Sequence, residues 1–465
     1  MSFNYKHTDF EAGPKTEPQR TKTCYFWNKT RFLILLIGLL CITCTNANMI
    51  LMNFTVICME DVILEQKTDN FSIHWLEKPS DISLTFSAAA VGAIFGTIPA
   101  VTLISKYGIR KTLFSYGLIS AIGTLFTPLA VHYGLIPVLI ARLFQGIGAS
   151  VLYSSIGAIS ESWSPVKEMG SYVAFLSAAF QISNIATMPS AGLLCESTLG
   201  WRSIYYLFAA ITVLLYSLFF WFYEDSPGSH RNVSSLELKK IRYGKEDVLN
   251  NKKATNVKFL HVFKNLEVLE ITVAIIGAST AVICLNNYGP IYLNKVLGLN
   301  IRETGYSNAI PYFFAAIVKF AAGPATDKLA NVSERNRLIL FAFLPQVLMA
   351  VGFLIMSFTT SIPIAQLAYT ISVTLAGLNV IGMVKCAQIV AKSQISLIMA
   401  VISMSSWISA FILPIVIGLV CPTNSHEEWS RFYLAVAVFV VLTNIPFPFL
   451  ARVQKLERVG PTTKF

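Results

Sequence analysis

Twelve long apolar runs dominate this chain, and they leave it few possible folds. They centre on residues 32–58, 83–104, 112–132, 135–159, 169–194, 202–223, 267–293, 303–324, 338–359, 362–384, 395–420 and 430–450. About 18 or more consecutive apolar residues read as a helix crossing the bilayer. In lipid the backbone must satisfy its own polar groups, which a helix does within one segment. The expected class is therefore an all-α membrane protein with twelve transmembrane helices. Composition agrees: 13% of residues are charged and 54% hydrophobic, against about a quarter charged in a typical soluble chain. The first run does not have the pattern of a cleavable leader, because the polar residues 1–31 precede it and no small-residue cleavage site follows a short core.

Lys and Arg are distributed unevenly between the two sets of connecting segments. One set comprises 1–31, 105–111, 160–168, 224–266, 325–337 and the residues from 451 onward, and it holds 26 of the 36 basic residues. The opposite set holds six, namely Lys67, Lys78, Arg202, Lys295, Arg302 and Arg431. By the positive-inside rule the rich set, with both termini, is expected in the cytoplasm. The net charge of +11 is then a topological signal, and no nucleic-acid partner is implied. Six runs, a basic stretch and six more runs suggest two pseudo-symmetric six-helix bundles. The expected division is a tail over 1–31, bundles over 32–223 and 267–450, a linker over 224–266 and a tail over 451–465. Short basic loops recur at matching places, Ser105–Lys111 in the first half and Gly323–Arg337 in the second. Fused halves of this kind place a site near the bilayer midplane at the repeat interface.

Charged side chains inside spans mark candidate sites, since each costs at least ~2.5–3.5 kcal/mol on insertion scales. Arg142 sits about 10 Å along the fourth span at 1.5 Å per residue, and no Asp or Glu lies deep in any span to neutralise it. Its helix face continues through Gly146, Ser150, Ser154 and Ala158, a stripe suited to close packing or to lining a cavity. A guanidinium offers a planar fork matched to carboxylate or phosphate. The alternative is a structural cation bonded to carbonyls of neighbouring spans. Lys319 and Lys385 lie closer to span ends, where a snorkelling, solvated head is the favoured reading. Asn286, Asn287 and Tyr288 stand beside Gly289-Pro290 in the seventh run. That Gly-Pro step is expected to break the helix beside a substrate site, unless packing merely satisfies a kink.

Several motifs carry a family resemblance. They are Thr97-Ile-Pro99, Thr127-Pro128, Ala141-Arg-Leu-Phe-Gln-Gly-Ile-Gly148, Ser162-Trp-Ser-Pro165 with Glu168, Met188-Pro-Ser-Ala-Gly192, Gly200-Trp201 with Tyr205-Tyr206, Glu224-Asp-Ser-Pro227, Pro290 to Gly298, and Thr304 to Pro311 with Asp327. With the Gly108-Ile-Arg-Lys111 loop, they make the chain resemble the major facilitator superfamily, in particular its anion–cation symporter branch of phosphate, sialic acid and vesicular glutamate transporters. The resemblance implies the major facilitator fold and gating roles for Gly108, Arg110, Lys111 and Asp327. It also exposes departures. Members that handle carboxylates tend to carry an arginine where this chain has Leu51 and a glutamate where it has Ala149.

No histidine pair shares a helix face, no Gly-rich phosphate loop ends in Lys-Ser/Thr, and the eight cysteines show no CxxC. An enzyme, a metal site and a bound cofactor are not expected, and only Cys195 and Cys421 are placed near the outer face, so no disulfide framework is expected either. The function expected is transport of a small organic or inorganic anion by a monomer, with sodium or chloride as the candidate coupling ion. The alternative is a non-transporting receptor or scaffold of the same fold. The topology has a direct test. Asn70 lies in a sequon on the outer side, whereas Asn28, Asn232 and Asn331 lie in sequons on the inner side and Asn53 within the first span. Asn70→Gln is expected to abolish the glycosidase-sensitive mobility shift, and a glycan on Asn232 would overturn the orientation.

Overall fold

The computed structural model describes residues 28–67, 74–165, 168–243, 245, 266–328, 340, 343–390 and 395–445, with side chains outside 66–67, 266–271, 322–328, 378–390 and 395–402. Helices occupy all twelve apolar runs. The first span is α1 (Thr30–Thr55), followed by a short α2 (Glu60–Lys67) and a 3-10 turn (Trp75–Glu77). The second and third spans are the two arms of α3 (Pro79–Tyr133), which reverses at Gly108. The fourth is α4 (Leu135–Ala149) with α5 (Leu152–Trp163), the fifth α6 (Met169–Ser177) with α7 (Ala179–Cys195), and the sixth α8 (Arg202–Phe222). After α9 (Ser235–Arg242) come α10 (Leu266–Ile291), α11 (Ile301–Lys328), α12 (Leu344–Phe358), α13 (Ile362–Val390), α14 (Ile395–Val420) and α15 (His426–Asn444), the seventh to twelfth spans. Outward-facing Phe95, Leu214 and Leu419 are exposed, as side chains that meet lipid tails must be.

Among the described residues, two extensive contacts join the halves. The second span packs on the eleventh and the fifth on the eighth, with the first and seventh meeting between them. A two-fold exchange of halves converts the second span into the eighth and the fifth into the eleventh, so each contact is the topological image of the other. The backbones approach closely there. The Ser87 hydroxyl donates to the Phe411 carbonyl at 2.9 Å, and a Cβ on Gly305 would stand 2.8 Å from the Met188 carbonyl oxygen.

Within the first half, the fourth span lies between the two arms of α3. A Cβ on Gly146 would overlap the Ala89 carbonyl oxygen, one on Gly92 the Leu143 carbonyl oxygen, and one on Gly148 would reach Ser120 at 2.5 Å. The Gly146 and Ser150 part of the small-residue stripe is therefore helix packing. The basic stretch after the sixth span also folds onto this half. Ser234 caps α9, and the buried Glu237 carboxylate accepts the first N–H groups of α1, from Thr30 at 3.3 Å and Arg31 at 2.9 Å. This is a cap supplied from more than two hundred residues away, satisfying amides that every helix start leaves open.

Two expectations need correction. Cys58 and Cys195 form a disulfide with Cα atoms 5.9 Å apart. The first apolar run conceals Cys58, but α1 ends at Thr55, which frees Cys58 to meet the end of the fifth span. Nor does Gly289-Pro290 break the seventh span. The helix runs through to Ile291 and widens into a π-turn over Tyr292–Val296, closed by the Leu297 amide on the Tyr292 carbonyl at 3.0 Å. Proline removes one ladder bond, and the packed neighbours hold the helix in spite of it.

The glycine packing predicts a contrast. Gly157 has open space where a Cβ would go, so Gly157→Ala is expected to leave detergent melting unchanged. Gly146→Ala is expected to destabilise the protein by about 1–3 kcal/mol, the usual cost of overpacking. Equal melting of the two variants would contradict the packing described.

Candidate functional site

Polar side chains gather where the halves meet and just inside the first half. Arg142 is 1% exposed. Its Nε donates to the Thr85 carbonyl at 3.1 Å, and its Nη1 donates to the Met49 carbonyl and to Gln145 Oε1, each at 2.7 Å. Gln145 passes the network on, donating to Thr124 and Thr127 at 3.2 Å. The acceptors around Arg142 are thus neutral.

The three residues singled out on the seventh span reach three different elements. Asn287 accepts from Asn53 of the first span at 3.1 Å. The Tyr288 hydroxyl donates to Ser83 of the second span at 3.0 Å, with Phe86 packed edge-on against its ring at 5.2 Å. Asn286 accepts from Tyr312 of the eighth span. Two of these bonds cross between halves, on the face that carries Trp75. Gly289 is needed for approach: a Cβ there would overlap the Tyr369 hydroxyl, which is bonded to Asn308 and lies 3.2 Å from the Leu285 carbonyl. Arg142 belongs to the first half's own network, and none of these bonds joins it to the seventh-span group. Around the same interface Asn46 donates to Ser183 at 2.6 Å, and Ser279 pairs with Ser406 at 3.2 Å.

On the opposite face, the Gly108 loop is fastened to its own half. Gly108 has φ +84°, a conformation that favours glycine, and a Cβ there would overlap the Asp225 carboxylate. The Arg110 amide donates to Asp225 at 3.0 Å, its Nε to the Phe220 carbonyl at 2.7 Å, and its Nη1 pairs with Glu224 at 2.7 Å. Burial pushes the Asp225 carboxyl above the usual carboxylate range, opposed by the Arg110 and Ile109 amides. Lys111 is exposed. The side chains of Asp327 and Lys385, and the whole of Asn70, lie outside the described residues.

Sequence reasoning misplaced one charge. Lys319 is not a solvated head: it is 2% exposed, and its Nζ donates across the halves to the Ser177 carbonyl at 3.0 Å and Gln181 Oε1 at 3.3 Å. Distance from the helix end was a poor guide, because the side chain points toward the fifth span and not toward the water. The polar Gln181 in that span was the available signal.

The Major Facilitator Superfamily model matches residues 35–414. The chain belongs to that superfamily. As a superfamily member it is an integral, multi-pass membrane protein of the transporter fold. It is 27% identical over 359 residues to sialin of Homo sapiens, covering 75% of this chain and 71% of that one. Sodium-dependent phosphate transport protein 1 of Homo sapiens is 23% identical, with 78% of each chain covered. Vesicular glutamate transporter 2 of Bos taurus is 22% identical over 92% of this chain and 75% of its own. In fold, the xylose transporter XylE from E. coli, in a partially occluded inward-open conformation, superposes with a TM-score of 0.69 at 16% identity, over 91% of this chain and 98% of that one.

The cross-half bond of Tyr288 can be measured. A double-mutant cycle of Tyr288→Phe and Ser83→Ala is expected to show coupling of about 0.5–1.5 kcal/mol in detergent melting, the net worth of one hydrogen bond. Strict additivity would mean that the two side chains do not meet.

Proposed function

We propose that this protein carries a small organic or inorganic anion across its membrane by alternating access of the two halves. The observation that carries the reading is a buried guanidinium, Arg142, whose every partner among the described residues is a neutral acceptor. An uncompensated positive charge inside a membrane bundle favours an anionic cargo, and the relatives named above for sialic acid, phosphate and glutamate point to the same class. In this reading Arg142 is a fixed charge that selects the anion, held in aim by Met49, Thr85 and Gln145. Asn286, Asn287 and Tyr288 contribute polar contacts from the second half. Gly108, Arg110, Lys111 and Asp327 belong to the gate on the cytoplasmic face, with both termini on that side, and Asn70 lies outside. The working unit is a monomer, and sodium or chloride is the coupling ion.

Uptake of phosphate, sialic acid and glutamate by purified protein in liposomes, with imposed sodium, chloride and potential gradients, is the test. Arg142→Lys is the discriminating variant, because it keeps the charge and loses the fork. Uptake is expected to fall roughly tenfold, the worth of a charge-assisted hydrogen bond, while the protein still folds and is made at the level of the parent. Full uptake in Arg142→Lys would remove Arg142 from anion selection, and absence of uptake of every anion tested would sink the reading as a whole.

A further inference from the structure

Lys319 presents a physical problem that the fold does not require. A buried ammonium is costly, and most are paired with a carboxylate. This one, on the eighth span, has among the described residues only a main-chain carbonyl and a neutral amide for partners, both on the other half. Lysine offers three donors, and two are accounted for.

The fifth span is built to receive it. That span breaks between α6 and α7 at Ala178. In an unbroken helix the Ser177 carbonyl would accept from the amide of Gln181. At the break the Gln181 and Ile182 amides both turn to the Ala178 carbonyl, at 3.0 and 2.9 Å. The Ser177 carbonyl is released from the ladder, and the Lys319 ammonium takes it. Gln181 then supplies its side chain to the same ammonium. Two residues before Ser177 and one after Lys319, Phe175 and Phe320 also meet across the halves, ring centroids 6.3 Å apart. Phe180, beside Gln181, stacks on Tyr153 at 5.2 Å, and Tyr153 meets Trp407 of the eleventh span at 6.4 Å. The Trp407 indole N–H is buried with no partner among the described residues. Two donors without adequate acceptors, one cationic, therefore stand in the layer where the fourth, fifth, eighth and eleventh spans converge.

We infer that Lys319 is an anion-exchangeable latch between the halves: without cargo its ammonium is held by Ser177 and Gln181, and a carboxylate or phosphate oxygen displaces them and frees the eighth span from the fifth. The exchange is favourable because an ionised acceptor bonds an ammonium more strongly than a neutral carbonyl or amide does. It also ties cargo recognition to movement, since the groups that lose the ammonium belong to the opposite half. This rests on the anion reading above, and it adds a second charge, at a different place from Arg142 and with a different task.

The test uses the full chain, purified in detergent, with Phe175→Cys as reporter beside the latch and a maleimide as probe, read against the same chain without the reporter. Inorganic phosphate, sialic acid and glutamate are added separately. In the otherwise wild-type protein, at least one anion is expected to raise labelling. Lys319→Met is expected to raise labelling severalfold without anion, to lose the anion response, and to melt no lower than the parent, because a lone buried charge has been replaced by an apolar side chain of similar length. Gln181→Ala is expected to raise basal labelling and keep the anion response. Basal labelling and response both unchanged in Lys319→Met would overturn the latch, as would a lowered melting temperature with unchanged basal labelling, the mark of a structural cation. If Lys319→Met does not yield folded protein, Gln181→Ala decides alone, and unchanged labelling there overturns the latch. No response of the parent to any of the three anions would overturn the anion reading along with the exchange, whereas a responding parent and a responding Lys319→Met would overturn only this inference.

Discussion

The first half is organised around one guanidinium. Arg142 takes the Met49 carbonyl from the first span and the Thr85 carbonyl from the second, and through Gln145 it reaches Thr124 and Thr127 on the third. Four helices thus share one hydrogen-bonded centre in a setting where lipid offers no competing partners. Removing the charge would strand several acceptors at once, and an unmade bond in such a setting costs more than a made one returns. The glycines at 92, 146 and 148 let the fourth span come close enough for that centre to form.

Much of this architecture could be read directly from the chain. The apolar runs located every span because bilayer thickness imposes a length on each, and the family motifs lay in order from about residue 97 to 327. What escaped was information about direction. Lys319 looks like a snorkelling side chain when only its distance from the helix end is counted, and its true surroundings depend on which face meets the fifth span. Cys58 was hidden inside an apolar run, since hydropathy does not mark where a helix stops. Gly289-Pro290 carries a strong local signal for a break, yet Tyr369 and Asn308 press against that very point and the helix continues. Tertiary packing decided each case, and a period or a propensity carries no record of it.

The family departures acquire a physical meaning from burial. Leu51 and Ala149 are both completely enclosed, Leu51 in the apolar cluster on the Trp75 face and Ala149 in the one centred on the first half. Both positions are filled by apolar side chains packed among apolar neighbours, so the fold accommodates the change. Among the described residues, Arg142 in one half and Lys319 in the other are the buried cations that have no carboxylate bonded to them.

The turn at Gly108 gives the bundle a mechanical property. Because α3 reverses there without a flexible loop, and Asp225 and Glu224 clamp the turn to the end of the sixth span, its two arms form a stiff fork. One tine, the second span, bears on the eleventh span of the opposite half, while the other is pinned by Tyr216 of its own half over Gly117. A load that the second half places on the second span would therefore pass through the clamped turn to the sixth span, as along a lever arm and not across a hinge.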